Sequence, residues 1–200
     1  MNQSNHSSFI WSIAELLRGD YKQSDYGKTI LPFVVLRRLD CVLEPTKAAV
    51  LAEFAAKKAL NLPPNALAEF LVRKSGQSFF NSSPMDFNVL VGDAPNLKAN
   101  LISYVNSFSE NVRDIFEKYD FEKQVERLDS SNLLFQVVQR FAAIDLHPQV
   151  VNNTQMGLIF EELIRKFAEL SNETAGEHFT PREVIRLMVD LLFDFDNEAL

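Results

Sequence analysis

The residues best suited to contact a ligand lie near the carboxyl end of the sequence, in the stretch Gly176–Met188. Thr180 suits a helix N-cap, because its hydroxyl can accept a backbone N–H of the first turn. Pro181 suits the first helical position, and Glu183 completes a Thr-x-x-Glu capping box. The N–H groups of such a helix start can bind an anion, although the Glu183 carboxylate would compete for them. These residues alone leave two interpretations open, a ligand contact and a purely structural cap.

The helix that follows this start has an apolar face. Phe179 and Val184 occupy the two positions of a hydrophobic staple. The same face continues at helical spacing with Leu187, Met188, Leu191 and Leu192. This pattern predicts a helix that is anchored in a hydrophobic core.

The rest of the sequence contains no recognisable catalytic or metal-binding pattern. The histidines His6, His147 and His178 are scattered and lack the ligand spacing of a zinc site. The six glycines are isolated, which argues against a phosphate-binding loop, and there is no Gly-x-Ser-x-Gly nucleophile motif. We therefore assign no catalytic residue and no metal ligand to this sequence.

Composition indicates a soluble protein of the cytoplasm. The 200 residues are 46% hydrophobic and include 17 Phe, which is enough for one sizeable core. The single cysteine, Cys41, cannot form an internal disulfide, as suits a reducing compartment. No apolar run approaches the roughly 20 residues needed to span a bilayer, and Met1–Ser8 lacks a signal-peptide pattern.

The net charge of −7 argues against a free-standing nucleic-acid binder. The charge is unevenly distributed, because residues 1–100 carry 11 Lys and Arg against 9 Asp and Glu, a net +2, which leaves −9 for residues 101–200. Three basic pairs could contact phosphates or could simply be solvated helix faces: Arg37-Arg38, Lys57-Lys58 and Arg73-Lys74.

Apolar periodicity and helix-stop residues predict a mainly α fold, a multi-helix domain. The predicted helices cover residues 8–18, 26–43, 46–60, 65–76, 96–108, 109–116, 130–141 and 153–171. Gly19 is expected to stop the first of these helices. The expected caps are Thr46 for the third, Asn65 for the fourth and Asp129 or Ser130 for the seventh. Pro32 lies inside the second of these and should kink it or mark its true start. Residues 77–95 are the least helical, and they could form one small β-hairpin near 79–91 or supply aromatic side chains to the core.

The helix predicted over 153–171 has a charged side opposite its apolar face. Glu161 with Arg165 and Glu162 with Lys166 are i,i+4 pairs in the favourable order. We therefore interpret these carboxylates as surface ion pairs and not as catalytic acids. The predicted buried face consists of Met156, Ile159, Phe160, Leu163, Ile164 and Phe167.

Several segments resemble one enzyme family. The Glu-His-Phe-Thr-Pro-Arg motif at Glu177–Arg182, followed by an apolar helix and preceded by Met156–Ile164, resembles the methylation (M) subunit of type I restriction-modification systems. The likeness extends to Leu16–Gly19 and Leu36–Asp40 in the opening helices and to Ile144–Pro148 in the middle.

The resemblance implies an S-adenosylmethionine-dependent DNA methyltransferase that modifies adenine at N6 after flipping it out of the duplex. In this family the segment that lines the cofactor pocket corresponds to Glu177, His178, Phe179, Thr180, Pro181 and Arg182. The implied partners are double-stranded DNA, a specificity (S) subunit, a restriction (R) subunit and a second M subunit. The helical domain would help to clasp the DNA, contact the S subunit and form one wall of the cofactor pocket.

The family's cofactor loop, Asp-Pro-x-x-Gly-Thr-Gly-Gly, and its catalytic Asn-Pro-Pro-Phe/Tyr do not occur in this sequence. We therefore expect an amino-terminal fragment that does not methylate DNA by itself. Residues 1–175 would form the helical domain, and residues 176–200 would lead into a truncated α/β catalytic domain beyond residue 200. The alternative is a non-catalytic helical interaction module that binds another protein through Phe79–Pro95.

Overall fold

The first long helix of the computed structural model begins at the predicted residue. The structure describes residues 9, 11–58, 60, 63–171, 180 and 182–193. Residues 11–14 are helical and continue into the 3₁₀ turn Glu15–Leu17. Gly19 then has a φ of +99°, in the left-handed region that glycine adopts readily, and stops this segment as predicted. Helix α1 covers Tyr26–Leu43 and contains Pro32 in its interior, so Pro32 does not mark its start.

Nine further α-helices follow α1 within the described residues. They are α2 (Lys47–Lys58), α3 (Pro64–Ser75), α4 (Phe87–Gly92), α5 (Leu97–Asn106), α6 (Glu110–Lys118), α7 (Phe121–Ser130), α8 (Leu134–Ala143), α9 (Asn153–Ser171) and α10 (Arg182–Phe193). The mainly α fold class is therefore confirmed, and α9 begins and ends at the predicted residues.

The main hydrophobic core is built around α1, which contacts α7, α8 and α9. Phe33 of α1 is fully buried, and its ring centroid lies 5.1 Å from that of Phe121 and 5.7 Å from that of Phe141. Aromatic pairs at these distances add to the stabilisation from burial alone. The core thus joins helices that are distant in sequence, and α1 is its centre.

A second, smaller core lies between α2 and α3, which pack against each other as a helical hairpin. Its buried residues are Val50 of α2, Leu71 of α3 and Phe80 from the segment that follows. Thr46 was expected to cap α2, but its hydroxyl donates to the Leu43 and Ser75 carbonyls instead. The α2–α3 hairpin is therefore a unit with its own apolar contacts.

The possible β-hairpin near 79–91 is wrong, since the described residues contain only isolated β-bridges and Asn88–Val91 lie within α4. Asp86 caps this helix, because its Oδ1 accepts a hydrogen bond of 2.9 Å from the backbone N–H of Val89. The aromatic alternative is confirmed for Phe80 and Phe87, which are 8% and 0% exposed.

Polar side chains hold residues 77–86 in their irregular path. The Asn81 side-chain amide donates to the Tyr104 carbonyl at 2.9 Å and accepts from the Ser83 backbone N–H at 2.7 Å. The Ser109 hydroxyl accepts from the backbone N–H of Phe80 at 3.3 Å. These bonds satisfy buried polar groups of the segment, and an isolated antiparallel bridge between Asn81 and Phe108 adds two backbone hydrogen bonds.

Two predicted helix starts are wrong. Asn65 was expected to cap α3, but it lies inside the helix, which begins at Pro64 and is followed by Gly76 with a φ of +65°. Asp129 or Ser130 was expected to cap α8, but both residues belong to the last turn of α7. The intervening residue Asn132 has a φ of +58°, a conformation that asparagine tolerates better than most residues.

Candidate functional site

The candidate site is the segment that leads into α10. Of the six predicted cofactor contacts, Thr180 is described and is exposed, and Arg182 is the first residue of α10. Glu177, His178, Phe179 and Pro181 lie outside the described residues. Helix α10 therefore follows Thr180 closely, whereas the start at Pro181, the capping box and the staple stay predictions.

Helix α10 has a broad apolar surface that contacts little else in the described part of the chain. The exposed fractions of its large apolar side chains are 44% for Val184, 45% for Ile185, 57% for Leu187, 53% for Met188, 70% for Leu191 and 71% for Leu192. The prediction that this face is anchored in a core is therefore wrong for these residues, because helical periodicity identifies an apolar face but not what covers it. An exposed apolar patch of this kind marks a contact surface.

Helix α9 precedes this segment and packs on the main core. Met156, Ile159, Leu163 and Phe167 are buried as predicted, and Phe160 is partly buried against the core. Ile164 is 40% exposed, so its predicted burial is wrong. The Phe167 ring lies 5.6 Å from that of Trp11, so the end of α9 is held by the beginning of the chain.

The ion pairs of α9 follow the predicted pattern only in part. Lys166 Nζ lies 3.1 Å from Glu162 Oε1, which confirms that pair. Arg165 Nη1 bonds Glu169 Oε1 at 2.6 Å, so its partner lies one helical turn after Arg165, whereas the predicted partner Glu161 lies one turn before it. Such exposed pairs contribute only a few tenths of a kcal/mol each. These charges therefore act in surface pairing and not as acids or bases.

Arg38 of α1 bonds the connection that leads into α9. Its guanidinium donates to the Leu146 carbonyl, to the Val151 carbonyl at 2.6 Å and to Asn153 Oδ1 at 2.8 Å. The residue is 8% exposed, and this burial lowers the pKa of the guanidinium. The side chain thus joins α1 to the connection before α9 and to the first residue of α9.

Arg37 has a second internal role, at a buried polar centre. It bonds Asp40 Oδ2 at 2.7 Å, while the Tyr104 hydroxyl donates to Asp40 Oδ1 at 2.7 Å. Burial raises the pKa of Asp40, against the opposing effects of the Tyr104 hydrogen bond and the Arg37 charge. Burial also lowers the pKa of Lys47, whose ammonium donates to the Met85 carbonyl.

This polar centre is structural. The cavity that Asp40 shares with Lys47 and Tyr104 has a volume of about 10 Å³, and that which it shares with Arg37 and Asp86 about 60 Å³. Cavities of this size admit at most one or two water molecules and no nucleobase. Sequence reasoning missed the centre because Asp40 and Tyr104 are separated by 64 positions.

The described residues give little support to a cysteine nucleophile, a metal site or a membrane-spanning helix. Cys41 is buried, and burial raises the pKa of its thiol, which disfavours the nucleophilic thiolate. No group of three or more potential metal ligands occurs among the residues that the structure describes. Within the same residues, every helix is too short or too polar to cross a membrane.

Comparison with known proteins gives two adjoining family matches. Residues 6–141 match the family described as HsdM N-terminal domain, and residues 151–200 match N-6 DNA Methylase. The chain is 21% identical over 199 residues to the methylase subunit of the type I restriction enzyme MjaIX from Methanocaldococcus jannaschii. This alignment covers 92% of the chain and 34% of the relative, so the chain spans about a third of that protein's length. No solved structure matches.

Proposed function

Since the chain belongs to the HsdM N-terminal domain family, we propose that it is the amino-terminal part of the methylation subunit of a type I restriction-modification system. The complete subunit would transfer a methyl group to N6 of adenine in double-stranded DNA. The observation that carries this proposal is the order of the two matches, in which an HsdM N-terminal domain over 6–141 is followed by an N-6 DNA Methylase segment over 151–200.

The proposed division of the chain assigns residues 1–175 to a helical domain and residues 176–200 to the approach to the catalytic domain. The apolar face of α10 supports this division, because side chains such as Leu191 and Leu192 need a second surface to cover them. That surface would be the catalytic domain of the same subunit. Residues 1–200 alone would not be active, because the catalytic motif would lie in that domain.

The proposed cofactor-binding residues are Glu177, His178, Phe179, Thr180, Pro181 and Arg182. S-adenosylmethionine, when bound, supplies an electrophilic methyl group. Exposure of Thr180 supports the assignment, since a ligand can reach an exposed residue. The segment ends at Arg182, where α10 begins. The regular helix therefore restricts the direction in which the backbone of the segment can run.

The proposed partners are double-stranded DNA, the S subunit, the R subunit and a second M subunit, all in the cytoplasm. The helical domain would help to hold the DNA while the target adenine is flipped out of the stack. The alternative function, a protein-interaction module acting through Phe79–Pro95, is less well supported. Phe80 and Phe87 of that region are buried in the two cores and are not available to a partner.

The test uses the full-length subunit assembled with its S subunit. We expect transfer of tritiated methyl groups from S-adenosylmethionine to adenine in DNA. Replacing both Phe179 and Thr180 by Ala should weaken cofactor binding about tenfold or more in calorimetric titrations, because a ring contact and a hydrogen bond are lost. Thr154→Ala, at an exposed position in the first turn of α9, is the matched control and should bind normally.

The outcomes separate the two parts of the proposal. Absence of methyl transfer to DNA by the unsubstituted assembly would overturn the proposed function. Normal cofactor binding by the double variant, together with normal methyl transfer, would leave the function intact and remove the role assigned to Glu177–Arg182.

A further inference from the structure

The α2–α3 hairpin differs in charge from the rest of the chain. Residues 47–75 contain five Lys and Arg but only two Glu, a net charge of +3, whereas the whole chain carries −7. The remaining residues therefore sum to −10. A polyanion that approaches this chain is attracted by the hairpin and repelled by the average of the other surfaces.

The fold brings together two basic pairs that are separate in sequence. Lys57 Nζ of α2 and Lys74 Nζ of α3 each lie 3.9 Å from a carboxylate oxygen of Glu53. Lys58 and Arg73 are the exposed neighbours of these two residues. The four cations and one carboxylate leave three positive charges on this basic patch, which we define as Lys57, Lys58, Arg73 and Lys74.

Two lysines of the patch contact aromatic rings of the same hairpin. Lys57 Nζ lies 4.5 Å from the ring centroid of Phe70, and Lys58 Nζ lies 5.7 Å from that of Phe54. Each of the two ammonium groups therefore has an aromatic partner within the hairpin, in the range of a cation–π contact. Ion pairs as long as 3.9 Å between partly exposed side chains are weak, so the lysines remain available to a stronger anion.

The third basic pair cannot serve in this way. The guanidinium groups of Arg37 and Arg38 donate hydrogen bonds to internal carbonyls and to Asp40, and Arg38 is 8% exposed. The tertiary structure thus assigns the three similar dipeptides to two roles, one internal and one at the surface.

We infer that the basic patch of the α2–α3 hairpin contacts the phosphate backbone of duplex DNA. This inference rests on the proposed function, in which DNA is the substrate. Clustered Lys and Arg bind phosphates by releasing counterions, a contribution that depends on charge and not on base sequence. The patch therefore adds affinity at any DNA site and leaves site selection to other parts of the assembly.

The experiment measures DNA affinity against salt concentration for the full-length subunit assembled with its S subunit. The test variant replaces Lys57, Lys58, Arg73 and Lys74 by Gln. The control variant replaces four exposed cations on other parts of the chain by Gln: Lys22, Lys28, Lys118 and Arg140. Both variants lose four positive charges, so a non-specific change in net charge affects them equally.

If the patch neutralises three phosphates, the slope of log K against log salt should be about 2.7 less negative in the test variant than in the wild type. Across a fourfold range of salt, its affinity should therefore vary roughly 40-fold less than that of the wild type. The control variant should keep the wild-type slope. The preference for the specific site over random DNA and the binding of S-adenosylmethionine should be unchanged in the test variant.

Three results would overturn the inference. The first is a wild-type slope in the test variant, with methyl transfer intact, which would remove the patch and leave the proposed function standing. The second is an equal loss of slope in both variants. The third is loss of S-subunit association by the test variant in the absence of DNA, which would identify the patch as a protein contact. An inactive unsubstituted assembly would instead overturn the proposed function and this inference together.

Discussion

Replacement of Arg38 tests how α1 positions the region that leads to the candidate site. Its guanidinium donates to two carbonyls, those of Leu146 and Val151, and to the side chain of Asn153. Arg38→Met keeps much of the apolar stem of the side chain and removes every one of these donors. The two carbonyls then lose a charged partner inside the protein, while Asn153, at the start of α9, can still reach water.

The expected loss follows from those two carbonyls. A buried polar group left without its partner costs roughly 1–3 kcal/mol. Methionine also avoids the cost of burying a charge, which offsets part of the loss. We therefore expect Arg38→Met to lower the free energy of unfolding by about 3 kcal/mol. Arg38→Lys should lose less but should not be neutral, because a single ammonium cannot reproduce the planar fork of donors.

Urea unfolding of the 200-residue chain, followed by circular dichroism, measures the loss. Arg140→Met is the matched control, because Arg140 is exposed on α8. It should change the free energy of unfolding by no more than about 0.5 kcal/mol. A loss below about 1 kcal/mol for Arg38→Met, with a neutral control, would refute the argument that Arg38 holds the connection before α9.

Two further predictions concern the core and the polar centre. Leu163→Ala should lower the free energy of unfolding by about 2–5 kcal/mol, whereas Ile164→Ala, at a side chain 40% exposed, should cost less than about 1 kcal/mol; equal losses would contradict the assigned buried face of α9. Because the folded-state pKa of Asp40 is raised, the stabilising contribution of this group is complete below its usual pKa and is lost as pH rises through the folded-state value. The free energy of unfolding of the wild type minus that of Asp40→Asn should therefore fall as pH rises above about 4, the usual range of an aspartate, and a difference that rises with pH in urea titrations would be inconsistent with this sign.

Local sequence was sufficient to predict the elements whose signals lie within one or two helical turns. Helices α1 and α9 were predicted with both ends correct, since apolar periodicity and flanking stop residues act over short distances. The end of the first helical segment at Gly19 was equally predictable, because glycine adopts the left-handed conformation that ends a helix more readily than other residues. The family resemblance also came from contiguous motifs, and the match over residues 6–141 confirmed it.

Only the tertiary structure decided which partner each of these elements meets. Three basic dipeptides look alike in sequence, but Arg37 and Arg38 bond groups more than 100 positions away, whereas Lys57 and Lys74 converge on Glu53 at the surface. Helical periodicity likewise marked α9 and α10 as amphipathic. The apolar face of α9 packs against α1, whereas the apolar face of α10 is largely exposed. The physical reason is that a period defines a face from local geometry, whereas burial, desolvation and hydrogen bonding depend on atoms that folding brings from elsewhere.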